Sequence, residues 1–186
     1  MKNRKVLWMT MAAALGLALS AGATTLKRMN MDELTRAAQV VARVKCKAIV
    51  VRWDHGEIFT FATFEVTEAL KGSAPRQIVV RLLGGQLGHL KSTVDGVPRF
   101  TPGEEAYLFL EPTAAGDLSV TGWVQGTFRV RRDPDTAKEI VTQDTGAVSV
   151  YDPATRQFKQ GGVRKMPLEL FRERVLDAID RQRIGK

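Results

Sequence analysis

The sequence predicts a mainly β fold, a small barrel or sandwich with one helix before the strands and one after them. Three observations predict it. From residue 40 to residue 131, apolar side chains recur at every second position in several runs, the period of strands with one buried face. Short turns rich in Gly, Pro and Asp join the runs, which makes neighbouring strands antiparallel. The three- and four-residue spacing of a helix appears at residues 30–41 and again after Pro167.

The N-terminus carries a different signal. Lys2, Arg4 and Lys5 precede an uncharged apolar run from Val6 to Leu19, and Ser20-Ala21-Gly22-Ala23 adds small residues. That order is an export signal, with cleavage expected after Ala23. The apolar run falls short of the ~20 residues of a spanning helix, so no stable membrane anchor is expected after cleavage. The expected location is the periplasm or the medium. Losing three basic residues takes the formal net charge from +8 to +5. The remaining charges are interspersed, which favours a soluble surface and acidic partners over a dedicated nucleic-acid binder. Residues 24–132 are read as the β domain, and residues 133–186 as a hairpin extension and a C-terminal helix packed on that β domain. Cys46 is the one cysteine, so an exported chain gains no internal disulfide and depends on its core.

The elements follow in order. Asn30 caps a helix running to about Gln39, with Asp32 and Glu33 in its first turn, where the dipole favours acids. Leu34, Ala37, Ala38 and Val41 form its apolar stripe. Val40 to Trp53 reads as a strand with Val40, Ala42, Val44, Cys46, Ala48 and Val50 on the core face. Cys46 is therefore a small buried hydrophobe. Gly56 supplies a tight turn, and Ile58 to Leu70 returns as the second strand. Lys71-Gly72 stops the alternation, and Pro75 cannot continue a central strand. A third strand spans Gln77 to Leu83 and ends at Gly84-Gly85. Residues 97–103 form a loop. Glu105 to Glu111 is the fourth strand. Leu118 to Arg131 is the fifth, bent at Gly122 and Gly126. Lys138 to Thr142 pairs back, and Val148 and Val150 are weaker strand signals. Pro167 opens a helix with Leu168, Phe171, Val175 and Ile179 on one side.

The ordered set LTRAAQVVARVKCKAIVV, FATFEVTEALKG, RQIVVRLL, GEEAYLFL and LSVTG resembles the netrin-like domain of the tissue inhibitors of metalloproteinases. It is also similar to small exported bacterial proteins of unknown role that continue into GxxQGxFRV, here Gly122 to Val130. The resemblance covers about residues 34–130 and implies a five-stranded OB-like antiparallel barrel flanked by the two helices. One departure matters. The inhibitors chelate a protease zinc through an N-terminal cysteine, whereas the expected mature chain starts Thr24-Thr25 and Cys46 lies inside a strand. The fold transfers more readily than the inhibitory ridge.

Chemistry is sparse. His55 sits on the hairpin turn and His89 in a glycine-rich loop, and neither has a second His or Cys at ligand spacing, so no metal and no cofactor are expected. No serine nucleophile motif appears, and Glu104-Glu105 point to opposite faces of a strand. Glycines 84, 85 and 88 lack the Lys-Ser/Thr of a phosphate loop. Aromatics Phe59 and Phe61 near Arg43, Lys45 and Lys47 have the ingredients of a nucleic-acid face, but export argues against that partner. The expectation is a non-catalytic exported interaction module whose partner is another exported or envelope protein, the alternative being an inhibitor-like protein acting on a metallopeptidase. The expected surface is an outward patch of Trp53, His55, Phe59 and Phe61, joined by Ile49 and Val51. Intact-mass analysis of exported protein is expected to give a chain starting at Thr24; a species retaining Lys2 and Trp8 overturns the cleavage.

Overall fold

The computed structural model describes residues 26–146 and 148–184. The expected export signal and its expected cleavage point, Ala23, lie outside the described residues. Helix α1 (Met31–Ala37) begins with a capping box. The Asn30 side chain accepts from Glu33 N at 2.9 Å, and the Glu33 carboxylate accepts from Asn30 N at 2.8 Å. Strands β1 (Val40–Asp54) and β2 (Glu57–Lys71) form a long hairpin. Its turn residues His55 (φ 49°) and Gly56 (φ 84°) are both left-handed, as the favoured two-residue hairpin turn requires.

Strand β3 (Gln77–Leu83) pairs with β2, and a small hairpin follows, β4 (Gly85–Leu87) with β5 (Leu90–Ser92). Then come β6 (Glu105–Pro112), β7 (Leu118–Val120) and β8 (Thr127–Arg132). The expected fifth strand is thus two. Gly122, left-handed at φ 60°, opens a 3-10 turn at Trp123–Gly126 that parts β7 from β8. Strand β9 (Glu139–Gln143) pairs back onto β8 as expected. Strands β10 (Val150–Asp152), β11 (Gln157–Lys159) and β12 (Met166–Pro167) precede helix α2 (Leu168–Ile184). Twelve strands among the described residues replace the expected five. The longer runs were legible as strands, whereas several of the added strands are two or three residues long and too short to show a period.

The pairings run β1–β2–β3–β7–β6 and return to β1, because β6 also bonds to the first half of β1. The β3–β7 pairing is parallel, against the expectation of a wholly antiparallel order. It arises because the chain passes from β3 to β6, leaving one place in the sheet between them, and β7 returns antiparallel to β6 into that place. Strands β8, β9 and β12 extend the same sheet beyond β6.

Two apolar clusters result. The first gathers side chains from all five strands of the closed pairing, among them Val44, Phe64, Val80, Leu108 and Val120. The second lies on the other face of β1 and β6, where Val41, Tyr107 and Phe109 meet both helices. Strand β6 is buried on both faces from Ala106 to Leu110, so it reads as a continuous apolar run. Helix α2 buries the expected stripe, Leu168, Phe171, Val175 and Ile179. Phe171 stacks between Tyr107 at 5.1 Å and Phe128 at 4.8 Å.

The Leu-Lys-Gly end of β2 has a mechanical role. Lys71 Nζ donates to Thr35 O at 2.5 Å and to Ala38 O at 2.7 Å, so a cation caps the carbonyl end of α1. Gly72 (φ 72°) passes so close to the start of β1 that a Cβ there would lie 2.4 Å from Gln39 O. The pair clasps α1 against the hairpin. Gly72→Val therefore combines backbone strain with a clash, and is expected to cost about 2–3 kcal/mol, read as a lower urea midpoint.

Glu68 fastens α2. Tyr107 Oη donates to it at 2.6 Å and Arg172 Nε at 3.1 Å. Burial pushes the Glu68 carboxyl up, but these donors outweigh it and hold its pKa below the ordinary value. Burial, aided by Glu68, pushes the Tyr107 phenol up. A depressed folded-state carboxyl contributes stability above the unfolded pKa of about 4.3, and loses it as pH falls through the folded value. Wild type is expected to lose thermal stability more steeply than Glu68→Gln across that acid window in parallel melting scans.

Candidate functional site

Strand β1 sets the site through an irregularity. Its register on β2 pairs Cys46 with Phe64 and then Ala48 with Thr63, leaving Lys47 as an extra residue. One inserted residue reverses which side chains face inward. Ala48 and Val50, expected in the core, are therefore exposed, Val50 by 54%. Ile49 and Val51 turn inward instead, and Ile49 packs on the first cluster. Cys46, before the bulge, is buried as expected, and burial pushes its thiol up.

The bulge also divides the expected patch. Trp53 pairs with Ile58, Val51 with Thr60 and Ile49 with Ala62, all on the side that faces the core further along β2. Phe59 and Phe61 pair with Arg52 and Val50 on the opposite side. There, Arg52 lies over the Phe61 ring at 4.0 Å and Arg81 over the Phe59 ring at 3.8 Å. Arg81 also reaches Asp54 at 2.6 Å. Phe61 is buried and Phe59 half-buried beneath these guanidiniums. Arg43, Lys45 and Lys47 do not join them. Arg43 is bound to Glu105 and Glu139, Lys45 to Glu105 and Lys47 to Glu65. The His55 ring is exposed, 3.7 Å from the Asp54 carboxylate.

On the Trp53 side, two apolar hollows open at one end of the closed pairing. One, of about 270 Å³, is lined by Ile49, Val51, Leu82, Val97 and Phe100. The other, of about 370 Å³, lies under Trp53, Ile58 and Leu90. They share Leu83, Lys91, Ser92 and Val94 as a common wall. Trp53 (53% exposed) and Leu90 (43%) stand at the rim.

The walls are held by specific contacts. The β4–β5 hairpin presses onto β1 and β2 at Gly85, where a Cβ would meet Thr60 Oγ1 at 2.6 Å and Val51 Cγ1 at 2.8 Å. Thr60 Oγ1 donates to Gly84 O at 2.7 Å. Phe100 packs edge-on against Phe64, with ring centres 5.0 Å apart. Arg129 holds the loop behind it, reaching Glu104 at 2.6 Å, Asp144 at 2.8 Å and Arg99 O at 2.5 Å. Gly126, which lines neither hollow, is required by packing: a Cβ would lie 2.1 Å from Thr121 O.

The sequence places Trp53 in the candidate surface but gives no place in it to Leu90, Val94, Val97 and Phe100, which line the same hollows. The available signal was a loop carrying apolar residues at 94, 97, 98 and 100, more than a solvated loop needs. Among the described residues, no three His, Cys, Asp or Glu side chains group to hold a metal. Among the same residues, no helix is long and apolar enough to cross a membrane. Comparison with models of protein families and with curated proteins finds no match.

Burial separates the aromatics energetically. Phe61→Ala is expected to cost about 3–5 kcal/mol. Trp53→Ala, at an exposed rim position, is expected to leave the melting temperature within about 2 °C of wild type. Differential scanning calorimetry of both variants checks the contrast.

Proposed function

We propose that this chain is an exported, non-catalytic binding module that takes an apolar segment of another exported or envelope protein. The scaffold is read as an OB-like barrel. The return of the pairings to β1, the parallel β3–β7 contact and the resemblance to netrin-like domains support that reading. The observation that carries the function is the exposed pair Trp53 and Leu90 at the rim of braced apolar hollows. Exposed aromatic and aliphatic side chains beside a pre-formed concavity are the usual anchors of a protein interface. The neighbouring acid Asp54 is engaged by Arg81, which suits binding better than proton transfer.

Immobilised mature protein and its Trp53→Ala and Val51→Arg variants test the proposal against a native envelope fraction. The expected result is a discrete partner retained by wild type and lost by both variants, whose melting temperatures are measured alongside. Equal capture by all three overturns the site. A captured metallopeptidase whose turnover falls in the complex moves the reading to the inhibitor-like alternative.

A further inference from the structure

A second cleft, at a different place, is built from other material. It lies between residues 28–31, residues 159–163, Gln143 of β9 and Arg174 of α2, and encloses about 310 Å³. Its floor is apolar, with Met31, Leu34, Phe128 and Val163. Its rim carries three cations, Arg28, Lys159 and Arg174, and among the described residues no carboxylate lines it. Asp152, outside the lining, reaches Arg28 at 3.0 Å and Lys159 at 3.4 Å. Burial works against its charge, but these cations and the backbone N–H groups of Ala154 and Thr155 overcome it, leaving its pKa at about 2. One carboxylate thus stands against three cations, and Arg174 has no carboxylate partner among the described residues.

Two glutamine amides stand in the walls, each fixed by one hydrogen bond at its oxygen and one at its nitrogen. Gln125 Oε1 accepts from Met29 N at 2.8 Å, and Gln143 Oε1 accepts from Val163 N at 3.2 Å. Each nitrogen spends one N–H, Gln125 on Lys27 O at 2.8 Å and Gln143 on Gln125 O at 2.6 Å. A primary amide has two N–H groups and its oxygen two lone pairs, so each glutamine keeps one N–H and one acceptor position for a ligand. Gln125 is buried, so its position is held by packing as well as by these bonds.

We propose that this cleft binds a small organic carboxylate, with the acid group on Arg174 and the spare amide N–H groups and a compact apolar body on Leu34 and Phe128. A guanidinium meets a carboxylate in a fork that a neutral ligand cannot use. The volume sits at the lower end of the ~300–1,000 Å³ of ligand pockets, which favours a single-ring or short-chain acid. This assignment is independent of the Trp53 site.

Phenylacetate and its neutral isostere phenylacetamide are the probes, titrated into the mature protein and followed by the side-chain amide signals of Gln125 and Gln143. Phenylacetate is expected to shift both signals and to bind at least about tenfold more tightly than phenylacetamide, the scale of one charged hydrogen bond. Arg174→Gln is expected to remove that advantage without changing the melting temperature, because Arg174 is exposed, and Arg174→Lys to restore part of it. Equal affinity for acid and amide, an unchanged advantage in Arg174→Gln, or no shift of the two amides at saturating phenylacetate overturns the proposal.

Discussion

The structure depends on one strand serving two neighbours. Strand β1 pairs with β2 from Val41 to Asp54, with Lys47 bulged out, and with β6 along its first six residues. Without the second set of bonds the five-strand pairing cannot close, and the first cluster loses a wall. A single strand can serve both only if it coils, and its register on β2 shifts at three places. Such shifts bend a strand and raise its twist. The same irregularity at Lys47 carries the chain from a core-building half into a site-building half.

Closure creates a second problem, since β1 and β6 then have an apolar outer face. The two helices cover it, and polar contacts at the margins set how they lie. Lys71 caps α1, Glu68 binds Tyr107 and Arg172, and Arg181 of α2 meets Asp32 of α1 at 2.7 Å. Exposed ion pairs contribute little individually. Burial of Phe171, Val175 and Leu34 supplies the larger part, and the charged contacts select one arrangement of the helices.

Arginines do much of the positioning elsewhere. Arg129 braces the loop that brings Phe100 into the first cluster, and Arg81 and Arg52 roof Phe59 and Phe61. A planar cation can stack on a ring while its edge bonds carboxylates, so it seals apolar surface that lysine would leave wet. This closes one side of the hairpin and leaves the Trp53 side open. The hollows at the hairpin end thus keep Trp53 and Leu90 at their rim, and a separate cleft beside α2 is rimmed by Arg28, Lys159 and Arg174.

The sequence by itself determined what depends on neighbours in the chain. The capped start of α1, the hairpin turn at His55-Gly56, the extent of β3 and the buried stripe of α2 follow from short-range propensity and period, and the structure repeats them. Only the tertiary structure decided what depends on pairing between distant segments. Lys47 looks like any outward lysine until β2 is laid beside it, yet it reverses Ile49, Val51 and Trp53. Phe100 and Leu90 sit in segments without a period, and their burial or exposure is settled by Arg129 and by the close approach at Gly85. Periodicity records which side of its own strand a residue occupies. It does not record which side of the molecule that becomes once strands bulge and close.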